Sequence, residues 1–155
     1  MKIFLSLSIL WLLSSCSSSG TGGLSKDFDV SYYSKSSLMK YELKIEINRR
    51  SLILNYKNES KGLSENFSYN IEESESENLY NYLKSNNINS LKAPPPDRLL
   101  DAPVQLIKVK YNNKSNSINF GTVKDPPVKI INLKNTLFEL ASKYNKNWKK
   151  DLDLQ

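Results

Sequence analysis

Lys40-Tyr41-Glu42-Leu43-Lys44-Ile45-Glu46-Ile47-Asn48 is the stretch that decides the fold. Tyr41, Leu43, Ile45 and Ile47 take every second position, and charged or amide side chains fill the places between them. Successive side chains of a strand point to opposite faces, so this period of two describes a strand with one buried and one wet face, as in an antiparallel sheet. Wound as a helix, the same four apolar residues would scatter around the axis and bury nothing together.

Reading outward, a polar turn over residues 48–51 leads to Leu52, Leu54 and Tyr56 at the same period. Phe67, Tyr69 and Ile71 repeat the pattern after a loop that holds Gly62, which makes a three-stranded meander. Upstream, Phe28, Val30 and Tyr32 alternate as well and would add a fourth strand at the meander's edge. Ser74-Glu75-Ser76-Glu77 matches a capping box, with Glu72, Glu73 and Glu75 suited to the positive end of a helix. Leu79, Tyr82 and Leu83 then share one helical face, and Asn86-Asn87 is a stop signal. Pro94-Pro95-Pro96 excludes helix and central strand, so residues 92–103 form an extended crossing over the surface.

Val104 to Tyr111 and Ser115 to Phe120 read as two further strands, joined through Asn112-Asn113-Lys114, where asparagine tolerates positive φ. Asp125 is the expected cap of a second helix, with Pro126 at its first position. Ile130, Leu133, Leu137, Leu140, Ala141 and Tyr144 keep the spacing of an amphipathic helix, and Trp148 would close the core beyond it. Strands grouped in this way, each group followed by a helix, predict an α+β fold: an antiparallel sheet of about five or six strands with two helices packed on one face. Residues 27–155 form that single domain.

Composition removes much chemistry. The chain of 155 residues has no histidine and one cysteine, so a catalytic triad, a Cys-His dyad, a His-ligated metal and an internal disulfide all lack a required residue. The cysteine follows an informative leader. Lys2 precedes an apolar run of eleven residues, Ile3 to Leu13, which spans roughly 16 Å as a helix against a hydrocarbon layer of about 30 Å. That is the length of a secretory signal core. Leu13-Ser14-Ser15-Cys16 then resembles the lipobox of bacterial lipoproteins. The resemblance implies residues 1–15 as a signal peptide, cleavage between Ser15 and Cys16, a lipid on the Cys16 sulfur, and a membrane anchored through that lipid.

Ser17-Ser18-Ser19-Gly20-Thr21-Gly22-Gly23 carries no charge, so residues 16–26 read as the lipidated cysteine and a flexible tether with an r.m.s. reach of about 18 Å. Three serines rather than an acidic residue follow Cys16, which by the same resemblance favours the outer membrane. The order of folded elements is loosely similar to small envelope lipoproteins of unknown function, and that likeness implies no activity.

Few residues suggest chemistry in the folded part. The acidic run at Glu72, Glu73, Glu75 and Glu77 lacks the spacing of a cation loop and has a local reason as a helix start, so no metal and no cofactor are expected. Asp97, Arg98 and Asp101 beside the triproline offer the alternative reading, an envelope hydrolase using the carboxylates of that loop. Ser37-Leu38-Met39-Lys40 matches S-x-x-K literally, where a strand begins and without companion motifs. Nine tyrosines could build an aromatic face, although Tyr41, Tyr56, Tyr69, Tyr82 and Tyr144 fall on core positions.

The net charge of +6 becomes +5 once Lys2 leaves with the signal. Arg49, Arg50, Lys108 and Lys110 are the expected contacts for anionic partners such as lipids, lipopolysaccharide phosphates, acidic glycans or host glycosaminoglycans. Nucleic acid is not expected at an envelope anchor. The sequence therefore predicts a lipid-anchored envelope protein whose domain binds or supports rather than catalyses.

Overall fold

A computed structural model describes residues 27–92, 95 and 102–154. The signal, Ser15, Cys16, the tether and the Asp97, Arg98 and Asp101 group lie outside the described residues. Strands β1 (Phe28–Ser36), β2 (Tyr41–Asn48), β3 (Ser51–Asn58) and β4 (Leu63–Asn70) run as a meander into helix α1 (Glu73–Ser85). A short 3₁₀ turn (Ile88–Ser90), strands β5 (Val104–Tyr111) and β6 (Lys114–Asn119), helix α2 (Val128–Tyr144) and the one-turn helix α3 (Trp148–Asp151) complete the chain.

All six strands form one sheet in the order β4-β3-β2-β1-β5-β6, antiparallel at every junction. The fold is α+β, as the patterning predicts. β1 lies at the edge of the meander but inside the complete sheet, because β5 pairs with its other side from Phe28↔Tyr111 to Lys35↔Val104. Tyr32 faces Ile107 and Val30 faces Val109, so β1's apolar row continues into β5.

The alternation becomes burial on one face. Leu43, Ile45, Ile47, Leu52, Leu54, Ile107 and Ile118 are sealed beneath the helices. Ile130, Leu133, Leu137 and Ala141 of α2 and Leu79 and Leu83 of α1 meet them, each large aliphatic side chain contributing about 1.5–3 kcal/mol. Trp148 is fully buried, meets Phe138 edge-on at 5.0 Å and donates its indole N–H to Ser142 at 3.1 Å, closing the core as expected.

Turn chemistry follows from single residues. Asn112 and Asn113 both adopt positive φ in the two-residue loop between β5 and β6, the conformation whose twist suits a tight hairpin. Asn48 accepts from the amides of Arg50 and Ser51, so the β2–β3 turn is held by one side chain. Ser37-Leu38-Met39-Lys40, expected where a strand begins, is instead the β1–β2 hairpin turn, with Lys40 at φ 53°.

Both helix starts differ from the sequence reading. The α1 capping box uses Glu72 and Glu75 rather than Ser74 and Glu77, because Ile71 still donates to the Arg50 carbonyl and the chain turns into the helix directly from the sheet. On α1 the buried aromatic is Tyr80, while Tyr82 is half-buried and donates its hydroxyl to the Lys129 carbonyl. Asp125 does not cap α2; Pro127 does, its carbonyl accepting from Ile130 and Ile131. A residue before proline is disfavoured in the α region, so neither Asp125 nor Pro126 readily starts the helix, which begins after Pro127.

Asn58 locks the β3–β4 hairpin to the chain's end. Its buried side chain accepts from the amides of Ser60 and Lys61 and donates to the Asp151 carbonyl at 2.9 Å, while Tyr56 donates to the Asp151 carboxylate at 2.6 Å. Asn58→Ala is expected to cost about 2 kcal/mol by leaving these groups unpaired. Urea unfolding would show this as a lower midpoint at unchanged slope.

Candidate functional site

Because the helices cover one side, the sheet's other face stays open to solvent. Its side chains are those that alternate with the core, and strand register arranges them in rows. One row runs Ile53, Glu46, Ser31, Lys108, Ser117 across five strands, and the next runs Asn48, Asp29, Lys110, Ser115. Together they line a shallow concavity of about 650 Å³.

The charges in this concavity are unequally engaged. Lys44 pairs with Glu46 at 2.9 Å on the same strand. Lys108 and Lys110, about 7 Å apart on one strand face, make no ion pair among the described residues. Hydroxyls of Ser31, Ser115 and Ser117 occupy the neighbouring register positions on β1 and β6. Two unpaired ammonium groups beside serine hydroxyls can accept a phosphate, sulfate or carboxylate without breaking an existing contact. The surface is open rather than enclosed, which suits binding of an extended or bulky anion more than chemistry that needs water excluded.

The four expected cations are not brought together. Lys108 and Lys110 share the open face, whereas Arg49 and Arg50 form the tip of the β2–β3 turn. Arg49 reaches Glu73 of α1 at 3.8 Å, across the end of the sheet. The serines and carboxylates around Lys108 and Lys110 were not singled out by the sequence reading. Their signal lay in the polar half of each alternation, but strand order, which sequence does not give, decides which polar residues become neighbours.

A second cluster joins the helices. Glu75 accepts from the Tyr144 hydroxyl at 2.6 Å and from Lys143 at 2.8 Å, and Lys143 also reaches Glu72 at 3.0 Å. Burial on its own would raise the Glu75 pKa, but Lys143, the Tyr144 hydroxyl and the Glu72 amide outweigh it and hold the carboxyl below its usual range. Glu75 and Glu72 in turn hold Lys143 above the ordinary lysine value, and burial followed by the Glu75 hydrogen bond raises Tyr144. These groups tie the start of α1 to the end of α2 through Glu72 and Glu75. Among the described residues no three carboxylate or thiol groups converge as a metal site.

The chain matches no protein-family model and no curated protein.

The cluster sets a pH window. A lowered Glu75 pKa contributes stability above the ordinary glutamate value, lost as pH falls through the lowered one; a raised Lys143 pKa contributes stability lost only as pH climbs above the ordinary lysine value. Glu75→Gln should therefore melt a few degrees below wild type at neutral pH. The gap should close in thermal scans as the pH falls below about 4.

Proposed function

We propose that the protein is a lipid-anchored envelope protein, held in the membrane through acylated Cys16, and that its domain is a non-enzymatic binding module for anionic partners. The observation that carries the anchor is the Leu13-Ser14-Ser15-Cys16 motif, which ends an eleven-residue apolar run and opens a Ser/Gly-rich tether uncharged from Ser17 to Gly23. One acyl chain holds a protein only marginally, whereas the two or three of a lipoprotein hold it durably at about 0.8 kcal/mol per buried methylene. Ser17, Ser18 and Ser19 favour delivery to the outer membrane. The tether ends where β1 begins, so the domain can stand off the headgroups and turn its open face to partners.

The binding half of the proposal is supported by Lys108 and Lys110, which make no ion pair among the described residues although Asp29 and Glu46 line the same uncovered, hydroxyl-bearing surface. The ligand chemistry that fits is a phosphate, sulfate or carboxylate carried on a lipid or glycan of the envelope.

Metabolic palmitate labelling with envelope fractionation tests the anchor. The full chain should be labelled and sediment with membranes, and Cys16→Ala should do neither; equal behaviour of the two would refute anchoring. Binding is tested separately on a sulfated-polysaccharide column, where the Lys108→Gln/Lys110→Gln double variant should elute at clearly lower salt than wild type. An unchanged elution position would remove the open face from the proposal.

A further inference from the structure

A sheet of six antiparallel strands has two edges, and this protein treats them differently. At the β6 edge, Phe120 donates to the Gln105 carbonyl in register with the β5–β6 pairing, so the amides of Ser115, Ser117 and Asn119 point outward. The Ser117 amide is taken by the Asn116 side chain, which also donates to the carbonyls of Ile88 and Leu91 and holds the 3₁₀ turn beside the strand. β6 is short and opens with Lys114, two further devices that discourage pairing.

β4 has none of these devices. It is eight residues, Leu63-Ser64-Glu65-Asn66-Phe67-Ser68-Tyr69-Asn70, with no lysine or proline and an unbroken register against β3. Ile71 donates to the Arg50 carbonyl in continuation of that register, so Leu63, Glu65, Phe67 and Tyr69 bond to β3. The amides and carbonyls of Ser64, Asn66, Ser68 and Asn70 therefore point away from the sheet, on exposed residues with no partner among the described ones.

We propose that β4 pairs with β4 of a second copy of this chain, antiparallel and two-fold symmetric, to make one continuous sheet. The sequence of β4 is complementary to itself in one register. With Phe67 opposite Phe67 of the second copy, Asn66 meets Ser68 and Ser64 meets Asn70 on the open face, and Glu65 meets Tyr69 on the helix face. About eight backbone hydrogen bonds form. The two Glu65 carboxylates then lie about 13 Å apart along the strands, beyond a screening length of about 8 Å at physiological salt. Sliding by one pleat in either direction gives up a bonded pair, and the slip toward Asn66 opposite Asn66 also brings the carboxylates to about half that distance, so backbone pairing selects the register and Glu65 disfavours one of the two slips. Phe67 also extends an existing aromatic ladder, stacking on Tyr56 and on Tyr69 at 6.1 Å each, with Tyr69 against Tyr144.

The test uses the full chain in detergent micelles. Sedimentation with the detergent density-matched should give the mass of two chains for wild type and of one for Asn66→Lys, whose side chain lies on the open face away from the core. Unchanged circular dichroism of the variant would show that it folds. Phe67→Cys should form an intermolecular disulfide under mild oxidation, because a non-hydrogen-bonded pair sets its Cα atoms about 4.5 Å apart, whereas Ser117→Cys on the β6 edge should not. A monomeric wild type, a dimer that survives Asn66→Lys, equal cross-linking at both edges, or a Phe67→Cys cross-link to a protein of different mass would each overturn self-pairing.

Discussion

Alternation at period two commits a strand to one apolar and one polar face, and a sheet of such strands must bury the first while it cannot bury the second. The rest of the architecture follows from that constraint. Leu43, Ile45 and Ile47 on β2 and Leu52 and Leu54 on β3 lie on the same side by register, so a second layer must pack on that side to remove them from water, and here the helices supply it. Both main helices are recruited there, and α1 also carries the chain from β4, at one edge, back over the sheet to β5 beside β1. Glu42, Lys44, Glu46, Lys108 and Lys110 are left outside because their neighbours in sequence went inside.

This is why the fold class was legible and the neighbourhoods were not. Period and turn residues are local, so the strands, the Asn112-Asn113 hairpin and the apolar stripe of α2 could be read along the chain. Pairing between β1 and β5 joins residues some eighty positions apart, and nothing local in Phe28, Val30 and Tyr32 distinguishes a strand paired on one side from a strand paired on both. The same limit hid the candidate site. Lys108 and Lys110 were visible as a basic pair, but their position beside Ser31, Ser115 and Ser117 follows only from strand order, and Arg49 was drawn toward Glu73 by the packing of α1 over the sheet's end.

The misplaced helix caps have a related cause. Serine is a better cap than glutamate in isolation, yet Glu72 caps α1 because Ile71 is already fixed by the sheet and leaves no room for a longer turn. Asp125 likewise yields to Pro126 and Pro127, whose restriction on the preceding residue is steric and stronger than the preference of a side chain for a cap. In both places a backbone constraint imposed by a neighbour outweighed a favourable side-chain choice worth about 1 kcal/mol.

The two surfaces left over, the open face and the β4 edge, are continuous, since Ser64, Asn66, Ser68 and Asn70 offer their backbone to the edge and their side chains to the face. Pairing through β4 would therefore extend the open face rather than cover it. The two-fold axis would stand normal to the sheet and place one Lys108–Lys110 pair on each flank, nine strand spacings or about 40 Å apart. A single pair of lysines holds a phosphate or sulfate weakly, but a polyanion, or a membrane surface dense in anionic groups, could engage both pairs at once, and linked contacts gain affinity without any new contact being made. A shallow, solvent-open face is poorly built for gripping one small molecule. Duplicated on a continuous sheet by such pairing, it would be better suited to a repeated, extended anionic partner.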